Sequence, residues 1–166
     1  MTPPLLSLPR RKSRPHVGDL APAFTLPDGE GRLHRLSDYS GSWLVLYFYP
    51  RDHTPGCTQE ACTFRASHTE IQDRGAQVLG ISTDPPNRHR RFAARYHLPF
   101  PLLSDTDGSV AHAYGALLRI GPLRFARRQT FIITPDGQIA WIRRRVSPKH
   151  HGAEVNDALE ALQAKG

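Results

Sequence analysis

The chain has 166 residues, 39% of them hydrophobic and 22% charged, with a formal net charge of +7. That is enough chain for one domain with a sizeable core, and the balance excludes a disordered or fibrous protein. The longest apolar run, Trp43 to Tyr49, falls far short of the roughly 20 residues of a membrane-spanning helix, and two cysteines, Cys57 and Cys62, are too few for a secreted disulfide scaffold, so a cytoplasmic protein is expected.

In chain order, residues 1–16 read as a disordered basic tail, with four prolines, Arg10, Arg11, Lys12 and Arg14, and no acid before Asp19. The apolar Leu5, Leu6 and Leu8 precede the basic cluster, the reverse of a secretory signal. A single domain is expected over 17–166. Ala21 to Tyr39 reads as a hairpin and loop that turns at Pro27 to Gly31. Ser42 to Tyr49 is almost wholly apolar and aromatic, the pattern of a central strand buried on both faces, and Pro50 ends it. A helix is predicted over 54–74, with Thr54 as N-cap and Pro55 at the first helical position.

Val78 to Ser82 is a second strand and Pro86 to Tyr96 a second helix. Asp105-Thr-Asp107-Gly108 lacks the remaining ligands of a calcium loop and reads as a turn into a short helix, Ser109 to Tyr114. Gln129 to Thr134 and Gln138 to Arg143 are strands joined by the turn Pro135-Asp136-Gly137. Ala153 to Ala164 is an amphipathic helix with Val155, Leu159 and Leu162 on one face. This order gives an α/β sandwich with a central mixed sheet flanked by helices.

Two further stretches, Arg119 to Arg128 and Arg143 to His151, are basic and free of acids. Basic surfaces can bind nucleic acid or anionic membranes, but no aromatic-interleaved motif accompanies these. They read as solvated exterior, with neither nucleic acid nor membrane as partner, and most of the nine histidines are placed on the surface too. The spacing of His53, Cys57, Cys62 and His68 fits no zinc pattern, and no glycine-rich phosphate loop is present, so neither metal nor cofactor is expected. The absence of Cys-x-x-Cys argues against a general disulfide reductase.

Cys57 is the candidate for chemistry. It follows a buried strand and falls in the first turn of a helix, where unpaired N–H groups and the helix dipole favour negative charge, at the strand end where open α/β sheets expose reactive groups. A free thiol with a pKa of about 8.5 is only a few per cent thiolate at pH 7, and the thiolate is the nucleophile. Position alone leaves a buried, inert cysteine open.

The neighbours narrow the choice. Pro50-Arg-Asp-His-Thr54-Pro-Gly-Cys57 has the form Pro-x-x-x-Thr-x-x-Cys, and the wider run Tyr47 to Cys62 resembles the peroxiredoxin family in its bacterioferritin-comigratory, or PrxQ, branch. Val17 to Leu26, Gly80 to Asp84, Leu103 to Asp105 and Arg128 to Phe131 extend the resemblance, in order, over about residues 17–165. It implies a thioredoxin-like sandwich and a thiol peroxidase acting on hydrogen peroxide and organic hydroperoxides. Cys57 matches the cysteine that attacks the peroxide. Thr54 matches the hydroxyl that helps hold thiolate and peroxide, and Pro50 the residue that shields them from water. Arg128 matches the arginine that stabilises the thiolate and the departing oxygen, and Glu60 the carboxylate that orients it.

Cys62 matches the resolving cysteine of the Cys-x-x-x-x-Cys subgroup. Five residues along an ideal helix separate two Cα atoms by roughly 8 to 9 Å, and a disulfide rarely spans more than about 7 Å, so the helix start has to unwind. The resemblance further implies a monomer recycled by thioredoxin or a glutaredoxin-like dithiol. The competing reading is a non-enzymatic basic protein on the same scaffold, a nucleic-acid binder or holdase; the Pro50, Thr54, Cys57, Arg128 set favours the enzyme. The chain departs from the family pattern in the Arg-rich Ala116 to Arg127 and in the basic tail, which leaves substrate range and reductant open.

Overall fold

The computed structural model describes residues 14–165. The elements run β1 (Thr25–Pro27), β2 (Leu33–Arg35), a 3-10 turn (Leu36–Tyr39), β3 (Trp43–Phe48), α1 (Pro55–Asp73), β4 (Ala76–Ser82), α2 (Pro86–Tyr96), β5 (Leu102–Ser104) and α3 (Ser109–Ala113). They continue with β6 (Leu117–Ile120), β7 (Leu123–Ala126), β8 (Gln129–Ile133), β9 (Ile139–Arg143) and α4 (His151–Ala164). Five strands make one mixed sheet in the order β5-β4-β3-β8-β9. The β3, β4 and β5 strands are parallel, and β8 and β9 add antiparallel on the other side.

The central strand explains its own sequence. Leu44, Leu46 and Phe48 join Phe24, Leu79, Tyr114 and Phe131 on one face of the sheet. Val45 and Tyr47, with Tyr49 just past the strand, join Phe64, Ile71, Phe92 and Val155 on the other. Alternate residues point to opposite faces, so a strand buried on both sides is apolar throughout. On α1 the buried residues are Cys57, Glu60, Ala61, Phe64, His68 and Ile71, a stripe at three- and four-residue spacing.

The short helix α3 is capped by Asp105, whose two carboxylate oxygens accept from the backbone N–H groups of Val110 and Ala111 at 3.1 and 2.8 Å. Where α1 meets α4, the approach is closest at Gly152. Its N–H donates to the Thr63 hydroxyl at 3.0 Å, and a side chain at 152 would collide with the Thr63 backbone carbonyl.

The structure adds three things to the sequence reading. Leu102–Ser104 is a buried edge strand, and Leu117–Ala126, assigned no element, is a β6–β7 hairpin turning at Gly121-Pro122. The surface placement of the histidines is overturned at three positions: His89 and His151 are each 1% exposed and His68 9%, because aromatic packing and polar partners hold them inside. Of the proposed tail, residues 1–13 lie outside the described residues. Pro15 is buried, and its carbonyl accepts a hydrogen bond from Arg144 Nη2 at 2.9 Å.

Candidate active site

Three segments meet where β3 ends: the loop 50–54, the first turns of α1, and the residue before β8. Phe48 pairs with Gln129 across β3 and β8, so Arg128 stands beside the point where the chain leaves the sheet. Cys57 and Glu60 are one helical turn apart on the buried stripe of α1, 1% and 0% exposed. The guanidinium of Arg128 reaches both. Its Nη1 donates to Glu60 Oε1 at 2.8 Å and its Nη2 to Cys57 Sγ at 3.3 Å. A Cβ at residue 56 would lie 3.1 Å from Nη2, so glycine there leaves room for the guanidinium over the helix start.

Burial pushes the Glu60 carboxyl up to about 7, with the Arg128 charge and hydrogen bond pulling the other way. Its Oε2 is buried without a hydrogen-bond partner among the described residues. Burial opposes the charge on Arg128, but Glu60 and Cys57 outweigh it and the guanidinium holds its proton more tightly than usual. Since the folded-state value of Glu60 lies above the ordinary 4.5, the stability it confers is complete below that pH and is lost as pH rises through about 7. Glu60→Gln, fixed in the neutral form, is expected to gain stability relative to the parent protein between pH 4 and pH 8, on the order of 2 to 3 kcal/mol. Urea unfolding at the two pH values measures it, and a difference independent of pH would refute it.

Thr54 occupies the N-cap position, but its side chain makes no capping hydrogen bond, which corrects that part of the sequence reading. The hydroxyl turns back and donates to the Arg51 carbonyl at 2.8 Å, closing the loop on itself. The first N–H groups of α1 beside Cys57 are therefore not occupied by this side chain, and the Thr54 oxygen is left as an acceptor. Pro50 is half-buried and lines the same cavity as Arg128. Cys62 lies off the buried stripe, half-buried; it and Cys57 are both free thiols on one unbroken helix.

The sequence reading missed the network beneath the loop. Asp52, 0% exposed, accepts from the Tyr49 hydroxyl at 2.6 Å and meets His89 Nδ1 at 2.6 Å. The other ring nitrogen of His89 faces the Leu103 carbonyl at 2.9 Å. The Asp52 N–H donates to Asp84 at 2.8 Å, and Arg88 joins Asp84 at 3.1 Å and the Asp52 carbonyl at 2.9 Å. Ligand atoms of Asp52, Asp84 and His89 lie within 4.8 Å of one another, yet hydroxyl, backbone and guanidinium donors already occupy the carboxylates, so the group serves to fix the loop. A second buried histidine, His151, meets the Thr130 hydroxyl at 2.7 Å. Burial first, then the charges of Arg143 and Arg128, pushes its pKa down to about 4.

A buried thiol at a helix start, held by an arginine that a buried carboxylate orients, is the apparatus of a redox enzyme working through cysteine. Residues 17–142 match the AhpC/TSA family, and the chain belongs to it. A Coxiella burnetii protein described as a bcp-type peroxiredoxin is 44% identical over 143 residues, covering 84% of this chain and 95% of its own length. PrxQ of Xylella fastidiosa, solved as a cysteine-to-serine mutant, superposes with a TM-score of 0.84 at 33% identity, covering 90% of this chain and 98% of its own. The bacterioferritin comigratory protein of Xanthomonas campestris, which has alkyl peroxide reduction activity, gives 0.79 at 34% identity, with 83% and 90% covered. The fold is therefore the thioredoxin-like peroxiredoxin sandwich, and the chain is a thiol-dependent peroxidase rather than a non-enzymatic protein on that scaffold. No helix among the described residues is long and apolar enough to cross a membrane.

Proposed function

We propose that Cys57 attacks the peroxide, Cys62 resolves the product, and a cytoplasmic dithiol protein of the thioredoxin or glutaredoxin kind restores both thiols. One observation carries the assignment: a single guanidinium is shared between Glu60 and the Cys57 sulfur. The substrate, hydrogen peroxide or an organic hydroperoxide, lies between Pro50, Thr54 and Arg128, with the Thr54 hydroxyl oxygen accepting a hydrogen bond from its O–H. The Cys57 thiolate attacks the terminal oxygen, forms the S–O bond and gives up two electrons, so that the other peroxide oxygen is displaced. The O–O bond breaks, negative charge collects on the leaving oxygen, and donors fixed in advance by Arg128 and the start of α1 meet it there. That oxygen takes a proton and departs as water or alcohol, leaving Cys57 as the sulfenic acid.

Cys62 then attacks the sulfenic sulfur and expels water to form a disulfide, which the dithiol reduces by exchange. Both thiols stand on the same intact helix, so the first turns of α1 must unwind. With attacker and resolver in one chain, turnover needs no second subunit, and a monomer is the expected working form.

One equivalent of peroxide is expected to give a Cys57–Cys62 disulfide within one chain and to strip hydrogen-exchange protection from residues 55–62. Broken backbone hydrogen bonds cost about 0.5 to 1.5 kcal/mol each, which the cross-link offsets in part. Non-reducing peptide mapping and hydrogen exchange on reduced and oxidised protein decide it. Full protection after oxidation, or a disulfide between two chains, would make Cys62 a structural residue and the protein a one-cysteine peroxidase.

A further inference from the structure

The basic stretches of the sequence converge on the active site. A cavity of about 590 Å3 borders Pro50 and Arg128, and its wall carries Arg14, Arg127, Arg144 and Arg145 besides Arg128, with no acidic residue among the described ones. These residues come from separate segments, brought together because Arg127 and Arg128 lead into β8 and Arg144 and Arg145 follow β9, its neighbour in the sheet. Among the described residues, Arg128 is the one of the five with a carboxylate within salt-bridge distance.

Arg144 is fixed without being neutralised. Its Nη1 donates to Gln129 Oε1 at 2.8 Å and its Nη2 to the Pro15 carbonyl at 2.9 Å, both uncharged acceptors. Burial, with the charge of Arg14, lowers its hold on its proton. Four guanidiniums gathered without a counter-charge repel one another, and a bound oxyanion relieves that repulsion while accepting forked hydrogen bonds. Leu118 and Ala126 give the same cavity an apolar flank. Such a wall suits a ligand with an apolar body and an anionic end.

We propose that this cavity binds the carboxylate of the substrate and makes the enzyme selective for organic hydroperoxides that carry one. The link to the chemistry is Arg128, which lines the cavity and also donates to Cys57 Sγ. A carboxylate seated on Arg127, Arg144 and Arg145 leaves a hydroperoxide a few bonds away free to reach the thiol. The proposal rests on the peroxidase assignment and adds the substrate class to it.

The test compares a tertiary alkyl hydroperoxide bearing a terminal carboxylate with its methyl ester, dithiothreitol being the reductant so that no protein partner enters. The acid is expected to exceed the ester in kcat/KM by about tenfold at low ionic strength, through KM, and to lose that lead as salt screens the site. The Arg127→Ala/Arg145→Ala double variant should bring the ratio close to one, and Arg95→Ala, on α2, should leave it as in the parent. Because the readout is a ratio within each protein, a general loss of activity cancels. Equal kcat/KM for acid and ester in the parent protein, or a preference that survives the double variant, overturns the proposal. Failure to turn over either compound while hydrogen peroxide is consumed also overturns it, and failure with hydrogen peroxide as well would instead refute the peroxidase assignment beneath it.

Discussion

Cys57→Ser is expected to abolish peroxide turnover. The substitution alters one atom at a site that is 1% exposed, so neither the packing of α1 nor the Arg128–Glu60 pair needs to change. The chemistry does change: a serine hydroxyl is not ionised at neutral pH, and the thiolate is the species that attacks. Among the described residues no base hydrogen-bonds to Cys57, which meets Arg128, a donor only. The fixed donors of the site remain, but without a nucleophile they have no developing charge to stabilise. Peroxide consumption with dithiothreitol or thioredoxin as reductant measures the loss, and circular dichroism verifies that the fold persists. Substantial turnover by this variant would place the reacting group elsewhere.

Arg128→Ala carries the second large effect. Removing one preorganised donor from a site of developing negative charge slows the chemical step by about 10^2- to 10^3-fold, equivalent to roughly 3 to 4 kcal/mol. A stability effect accompanies it, since Glu60 is left buried without its partner and is driven further toward the neutral acid. Arg128→Lys is expected to recover only part of the rate, because one ammonium cannot reproduce the two parallel donors that span Glu60 and Cys57. Arg124→Ala is the comparison: Arg124 lies in the same basic stretch, but its Nη1 donates to the Asp107 carbonyl at 3.0 Å, away from the thiol. Stopped-flow measurement of the first turnover separates the cases, and equal losses at 124 and 128 would show that the guanidinium at Cys57 has no special part.

The sequence was most legible where structure is locally determined. The run Trp43 to Tyr49 suited a strand buried on both faces, and β3 takes up Trp43–Phe48 of it, while Pro55 after Thr54 marked the start of α1 to the residue. What it concealed was set by distant partners. Leu102–Ser104 is a three-residue edge strand between Pro101 and Asp105, too short to show a period. The β6–β7 hairpin did carry a turn signal in Gly121-Pro122, masked by the arginines around it. His89 is 37 residues from Asp52 along the chain, and nothing local distinguishes it from a surface histidine. Arg128 could be picked from four clustered arginines by motif alone, and the register of β8 against β3 supplies the physical reason for its position. The arginine-lined cavity was invisible as a unit, since its residues are gathered by the pairing of β8 with β9.

The close approach of Gly152 to Thr63 falls one residue beyond Cys62, and it divides α1 into parts with different duties in the proposed cycle. Residues 63–73, pinned against α4, stay helical while the chain ahead of them opens. Starting a helix in open chain is slow and unfavourable, because several residues must be ordered for the first hydrogen bond, whereas adding residues to an existing turn is easy. The pinned segment is a standing seed. After each reduction the eight residues from Pro55 to Cys62 have only to wind back onto it, a process of about nanoseconds per residue. Rebuilding the catalytic pocket is then no separate folding event, and the pace of recycling falls to the encounter with the reductant.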